Sequence, residues 1–449
     1  MHITSFGAAH QVTGSCHVLE TSSVRILVDC GMFQGSNYNE GRNFDDFGFD
    51  PASIDAVVVT HGHLDHTGRI PLLVKEGFEG TIYMTHGTAE ISKIIWDDAH
   101  NIMTYNNRKF NLPILYTPDD IAQAQNQVQS VAYRESVSLV DGVIAVFKDA
   151  GHIFGSSFIE ITADGKTVAF SGDVGNENAP ILQDTEQLGN IDVLVCESTY
   201  GGRTHESRQE ADAMLLKLIK EGVERGGTIM MPTFSIERTQ EILYAMDTWC
   251  DEGKMPRFPI YVDSPMAIRA IDVYKKYPEY YDAEASKQYM KGDDFLDFPG
   301  LTLTLDKEDS KKINSAPAPK MIIAGSGMMT GGRILHHAMR YLSDPNSTLI
   351  IVGYQAYGTL GRRLYEGAEQ VKIMGKEVEV NATIKAIGGL SAHADKQKLL
   401  RWIGGAQKKP AKVYFVHGEP ESATELAHAV RDELGIEAFV PEEGEKNEI

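Results

Sequence analysis

Cysteine is scarce in this chain. Cys16, Cys30, Cys196 and Cys250 are the only four in 449 residues, and no two form a C-x-x-C pair. That spacing argues against a thiolate zinc site and offers no disulfide framework, so the thiols are expected to be reduced and mostly buried. Long apolar runs are missing as well. No stretch approaches the roughly 18 consecutive apolar residues of a membrane span, and "MHITSFGAAHQVTGSCHVLE" lacks the basic flank and apolar core of a secretory leader. A cytoplasmic protein with no membrane role is expected. Positive charge is in deficit: 42 Lys and Arg face 63 Asp and Glu, for a formal net charge of -21. The overall field therefore repels a polyanion, and any nucleic-acid role has to come from a local site. What the chain does have is 42% hydrophobic residues over a length that accommodates two or three domains with substantial cores.

Short β-rich runs recur, each ending in a polar loop: "VRILVDCG", "IDAVVVTHGH", "TVAFSGDVG", "IDVLVCESTYG", "KMIIAGSGMM" and "AKVYFVHGE". Between many of them lie segments with helical apolar spacing, such as "RQEADAMLLKLIKEGVE" and "ESATELAHAVRDELG". This alternation predicts an α/β protein with buried sheets and ligand sites just past strand ends. Residues 205–380 read as a separate α/β insertion, dividing one domain into a first part, 1–204, and a closing part, 381–449.

The stretch "THGHLDHTG", Thr60 to Gly68, carries the strongest chemical signal. Positions two apart on an extended segment point the same way, so His61 and His63 can present both imidazoles to one cation. Asp65 and His66, at the following turn, can face a second. A polar loop with a helix cap explains any one of these histidines, but it explains the whole H-x-H-x-D-H unit behind a strand poorly. His152 in "DAGHIFGSSF" and Asp173 in "FSGDVG" sit at turns flanked by glycine, where either alone reads as a loop residue or cap. Together with the cluster they complete two nitrogen- and oxygen-ligated sites, with Asp173 able to bridge them and Asp29 in "LVDCG" placed to orient the loop. Two ions about 3.5–4 Å apart are what a phosphoester hydrolase uses.

Taken in order, Asp29, "HGHLDH", His152 and Asp173 resemble the motifs of the metallo-β-lactamase fold. Beyond them "CESTYG" with Glu197, "SAHAD" with His393 and "VHGE" with His417 resemble the added motifs of the β-CASP ribonucleases, a family that includes the RNA 3′-end cleavage and polyadenylation endonuclease. "GAAHQVTGSC", "PTFSIERTQEIL", "VDSPMA", "GSGMMTGGR" and "GYQAYGTLGRRL" extend the likeness over nearly the whole chain. The resemblance implies an αββα sandwich with an inserted α/β β-CASP domain, acting as a zinc-dependent ribonuclease in RNA processing or decay. It implies two Zn2+ per chain with a bridging hydroxide: one on His61, His63, His152 and Asp173, the other on Asp65, His66, Asp173 and His417. Asp29 and Asp65 then belong to the catalytic set. His393, paired with Glu197, becomes the general acid that protonates the departing 3′-oxygen, since a carboxylate partner raises a histidine's pKa.

In "IIAGSGMMTGGRILHH" a strand, a glycine-rich turn and a helix offer a phosphate cradle, with Ser326, Thr330 and Arg333 expected near the RNA backbone. Arg362 and Arg363 in "GTLGRRL" are explained almost as well by a solvated helix face. Glu237 stands where the family usually has a small residue, and His10 occupies a variably filled position. A β-lactamase or thioester hydrolase of the same fold needs neither Glu197 nor His393. The nearer alternative is a DNA-processing β-CASP nuclease, against which His417 counts because that branch usually has valine there. Single-stranded RNA held in a cleft is the expected partner, a homodimer is compatible with the reading, and the chain is expected to lack the extra C-terminal domain of the J-type enzymes.

Overall fold

The computed structural model describes residues 1–449 apart from Asp141, Asp293, Phe295 and Tyr354, and apart from the side chain of Asn37. Tyr354, within the "GYQAYG" motif, therefore lies outside the described residues. Two units emerge. The first comprises Met1–Glu177, Asp184–Thr204 and His393–Ile449; the second comprises Asn178–Gln183 and His205–Ala392.

The first unit is built on a pair of seven-stranded sheets. In one, strands Lys446–Glu448, His2–Ser5, His17–Glu20, Arg25–Val28, Ala56–Val58, Thr81–Thr85 and Val128–Val131 follow in that order. In the other the order is Glu437–Phe439, Lys412–Val416, Val193–Glu197, Lys166–Phe170, Ser157–Ala163, Val143–Asp149 and Ser136–Val140. Ile26, Val28 and Val58 of the first sheet share a buried core with Phe147, Ile159, Phe170 and Val195 of the second, so the sheets stack face to face. The opposite face of the second sheet, through Phe158, Leu194 and Phe415, is covered by Leu399, Ile403 and Leu426 from helices Lys396–Gly404 and Pro420–Ala429. The sequence pattern follows this layering. "VLVCE" at Val193–Glu197 is buried at every position because it runs parallel between two neighbours with a layer on each face. "VIAVFKD" at Val143–Asp149 instead buries alternate residues, and Ile144 is exposed.

The second unit carries a six-stranded sheet, every pair parallel, in the order Leu301–Leu303, Ile260–Val262, Lys320–Ala324, Thr228–Pro232, Thr348–Val352 and Thr383–Ile387. The expected boundary after residue 380 falls inside this unit. Strand Thr383–Ile387 pairs with Thr348–Val352 at the edge of the sheet, so the chain leaves only after Ala392. Residues 178–183 join it too, through the Ile181 carbonyl that accepts from Asp282 N–H at 2.7 Å. Neither exchange leaves a mark in apolar periodicity. Among the described residues no helix is long and apolar enough to cross a membrane.

Candidate active site

Most candidate residues of the first unit lie at or shortly beyond strand ends, and strand pairing decides which ends meet. Arg25–Val28 and Ala56–Val58 are parallel with Val28 opposite Val58, so Asp29 and Thr60 emerge side by side. Asp29 accepts from Thr60 N–H and from the Thr60 hydroxyl, each at 2.8 Å. In the second sheet Glu197 is opposite Val416, which brings the next residue, His417, alongside it. Asp29 and His417 both hold positive φ, 58° and 49°, an uncommon state for residues other than glycine and one that turns the chain sharply out of the strand. Gly172 has φ 50°, and a Cβ there would meet Thr60 at 2.5 Å, so only glycine lets the Asp173 turn lie against the Thr60 strand.

These turns bring together every residue of the expected metal set. His61, His63, His152 and Asp173 form one group of converging donor atoms, and Asp65, His66 and His417 form another. In the first, His63 Nδ1 lies 3.1 Å from His61 Nε2 and 3.3 Å from His152 Nε2. Asp173 Oδ2 is 3.4 Å from both His61 Nε2 and His152 Nε2. In the second, Asp173 Oδ1 is 3.3 Å from His66 Nε2 and 3.4 Å from His417 Nε2, and Asp65 Oδ2 is 3.9 Å from His417 Nε2. Bonds of about 2.0–2.1 Å to a tetrahedral zinc put ligand atoms about 3.3–3.4 Å apart, so the donors fit the edges of two tetrahedra sharing Asp173. Asp173 Oδ1 is buried and has no hydrogen-bond partner, as expected of an oxygen reserved for a cation.

Electrostatics agree with that reading except at His66, where burial tends to lower the pKa but the charges of Asp173 and Asp29 prevail and hold it well above its ordinary value, so that a cation bound there would displace a proton. Burial pushes His63 and His417 down to about 3 and holds His61 well below its ordinary value, leaving neutral imidazoles, the form that ligates metals. Burial drives Asp65 up to about 6, a cost that a cation beside it would offset. The nitrogens facing away from the donor clusters are held as well. His66 Nδ1 is 2.7 Å from Asp29, His61 Nδ1 is 3.1 Å from the Thr60 hydroxyl, and His417 Nδ1 is 3.0 Å from the Ser15 hydroxyl. Thr60 and Ser15 are functional positions that sequence reasoning missed, although both stand inside the quoted motifs. Such partners fix tautomer and ring orientation. Ser15→Ala is expected to weaken zinc binding about 10- to 100-fold with an unchanged circular dichroism spectrum, measured by titration against a chelating dye.

His393 lies beside this cluster rather than in either tetrad. Its Nδ1 is 3.2 Å from both Glu197 oxygens and 3.9 Å from Asp173 Oδ2. Glu197 is fully buried and also accepts from Val174 N–H at 2.7 Å. Burial works to lower the His393 pKa, but the negative charges of Glu197 and Asp173 outweigh it and raise the value to about 9. The two carboxylates thus favour the imidazolium form of a ring held at the edge of the site, 17% exposed.

The phosphate residues expected in the second unit fare differently. Ser326 accepts from Thr330 N–H at 3.0 Å and Gly331 N–H at 3.1 Å, closing the glycine-rich turn on itself. Arg333 does not stand free for a phosphate: it donates to Asp263 at 2.7 Å and to the carbonyls of Thr304 and Leu305, each at 2.9 Å. Asp263 also meets His337 Nε2 and the Ser310 hydroxyl, each at 2.7 Å. Burial tends to raise the Asp263 pKa, but donors from His337, Ser310, Arg333 and Thr304 prevail and hold it at about 2, against an ordinary 3.8. Its stabilising contribution is therefore complete above pH 3.8 and is lost as pH falls through about 2. Asp263→Ala, which leaves Arg333 and His337 unpaired, is expected to cost about 3 kcal/mol at neutral pH, read from urea unfolding. Glu237 and Tyr274 are hydrogen-bonded to each other in the core of this unit.

Two sandwiched sheets, helices on the outer face, and paired His/Asp clusters at the strand ends define a metal-dependent hydrolase of the metallo-β-lactamase class. Comparison with known families matches residues 11–216 to the metallo-beta-lactamase superfamily, 239–364 to the Beta-Casp domain, and 377–441 to the Zn-dependent metallo-hydrolase RNA specificity domain. Ribonuclease TTHA0252 of Thermus thermophilus is 39% identical, covering 95% of each chain. An RNase J-like protein of Methanocaldococcus jannaschii is 33% identical over 98% of this chain and 97% of its own. Transcription termination factor FttA of Methanosarcina mazei is 30% identical over 97% of this chain and 70% of its own. A crystal structure of a protein of unknown function from Enterococcus faecalis matches 99% of each chain with a TM-score of 0.53 at 11% identity, a likeness of fold alone. The chain belongs to the Beta-Casp family of metallo-beta-lactamase-fold hydrolases.

Proposed function

We propose that this chain is a zinc-dependent ribonuclease that hydrolyses phosphodiester bonds of single-stranded RNA to leave 5′-phosphate and 3′-hydroxyl ends. The observation that carries the reading is the pair of donor tetrads sharing Asp173, with the His393–Glu197 pair against their edge. The ribonuclease names of the relatives from Thermus thermophilus and Methanocaldococcus jannaschii support RNA as the substrate. His61, His63, His152 and Asp173 would hold one zinc, and Asp65, His66, Asp173 and His417 the other. Bound there, the ions supply Lewis acidity at phosphorus and an activated water for in-line attack. The chain's own part is orientation and proton transfer. Asp29, Thr60 and Ser15 fix the imidazoles. Glu197 takes the Nδ1 proton of His393 in a charge-assisted hydrogen bond, leaving the Nε2 proton for the departing 3′-oxygen. The attacked phosphate then stays on the downstream fragment.

Gel analysis of 5′-labelled and 3′-labelled RNA treated with purified protein tests this and separates internal cutting from end trimming. A single 2′-deoxy substitution at the cut site should leave cleavage possible, because the 2′-hydroxyl is not the nucleophile. Products ending in 2′,3′-cyclic phosphate would overturn the reading, and efficient cutting of single-stranded DNA would reassign the substrate.

A further inference from the structure

Apart from the donor clusters, the first unit contains a cavity of about 200 Å³, walled by Phe6, Phe33, Phe47, Cys16, Arg42 and Arg69. That is room for far more than a single water. Its most unusual wall is Arg69, which is only 4% exposed. The side chain donates from Nε to the Gly31 carbonyl at 2.6 Å, while its buried Nη2 has no hydrogen-bond partner. Ring faces flank it: the guanidinium carbon lies 4.6 Å from the Phe33 centroid and 5.1 Å from that of Phe47. A buried guanidinium normally meets a carboxylate or several carbonyls, because its desolvation is otherwise uncompensated. Here an under-partnered guanidinium lines an open space with aromatic walls. Arg42 stands over the other contact of Phe33, 4.0 Å from its centroid, and is already paired with Glu443.

We propose that this cavity is a binding site for a small monocarboxylate carried on an aromatic or similarly flat apolar body, with the carboxylate on Arg69. The apolar walls match the body, and the guanidinium of Arg69, with a single side-chain hydrogen bond, matches the anion, the usual division of labour in small-molecule sites. Asp45, Asp46 and Glu443 also line the cavity, and they disfavour a ligand of higher negative charge. The site is linked to the donor cluster through a short backbone relay. Arg69 N–H donates to the Cys30 carbonyl at 2.9 Å, and Cys30 N–H donates to the His66 carbonyl at 2.8 Å. The proposal concerns a ligand separate from RNA and stands whether or not the chain is a nuclease.

Fluorine NMR of the zinc-loaded full chain with 4-fluorobenzoate and its neutral isostere 4-fluorobenzamide tests it. The carboxylate should show saturable broadening and bind at least tenfold more tightly than the amide. Phenyl phosphate, with its second charge, should bind at least tenfold more weakly than benzoate. Arg69→Gln should abolish the benzoate response. Should that buried substitution fail to fold, Phe47→Trp places a fluorescent reporter in the half-buried wall, and its emission should saturate with benzoate but not with benzamide. Equal binding of acid and amide, a preference for phenyl phosphate, an unchanged response in folded Arg69→Gln protein, or indole emission blind to benzoate in the Phe47→Trp protein would each overturn the assignment.

Discussion

Asp173→Ala protein is expected to emerge from purification without either metal ion and with no detectable cleavage of RNA. The expectation rests on the two faces of one carboxylate. Oδ2 stands at 3.4 Å from the donor nitrogens of His61 and His152, and Oδ1 at 3.3 Å and 3.4 Å from those of His66 and His417. Removing it leaves each group a ligand short and leaves the His61, His63 and His152 group with no carboxylate to balance a dication. His63→Ala touches only one of the two groups, so it should lower the metal content partway while also abolishing cleavage. Elemental analysis of protein prepared without chelator distinguishes the two variants. Full metal content in Asp173→Ala protein, or full activity in His63→Ala protein, would sink the ligand assignment.

The His393→Ala substitution should behave in the opposite way on metal. Because His393 Nδ1 lies closer to Glu197, at 3.2 Å, than to Asp173, at 3.9 Å, the variant is expected to keep its zinc and to lose roughly 10²–10⁴-fold in rate, the range for general acid–base catalysis. The pH profile gives a readout that mere disruption would not. Glu197 and Asp173 hold the imidazolium up to about 9 in spite of burial, so the acid form predominates at neutral pH. Its benefit is present below the ordinary value of 6.5 and disappears as pH rises through the raised one. The wild-type rate should therefore carry an alkaline limb at or below about pH 9, since nearby cations oppose the imidazolium, and the variant should lack that limb. A large loss of zinc from His393→Ala protein would show that the residue is a ligand instead.

Much of this site can be read from the sequence because its chemistry is concentrated at strand ends. H-x-H-x-D-H is a local pattern, and Asp29, His152 and Asp173 each follow an apolar run that announces where a strand stops. His417 is legible only through family resemblance. Nothing in "KVYFVHG" says that its strand runs parallel beside Val193–Glu197, and that pairing is what carries the histidine to the cluster. Ser15 and Thr60 escape notice for a related reason: a hydroxyl becomes an orienting partner only once two segments lie within about 3 Å, a distance no periodicity encodes. Arg333 shows a partner that the sequence does not announce. A basic residue at a glycine-rich turn reads as a phosphate contact, whereas Asp263, seventy positions earlier in the chain, takes it. The domain edge moves past residue 380 because strand Thr383–Ile387 looks the same in sequence whichever sheet it joins.

The order in which the ligands occur along the chain has a consequence for the protein's birth. His61, His63, His152 and Asp173 leave the ribosome early, whereas His417 follows only after the whole insertion has been synthesised. At about 5–20 residues per second, the interval between the last of the first group and His417 is roughly ten to fifty seconds. During that time the nascent chain holds one complete tetrad without the second, and for most of it lacks His393 as well. A growing polypeptide, tethered to the very class of molecule it is proposed to cut, is therefore unarmed until its final segment closes over the sheet.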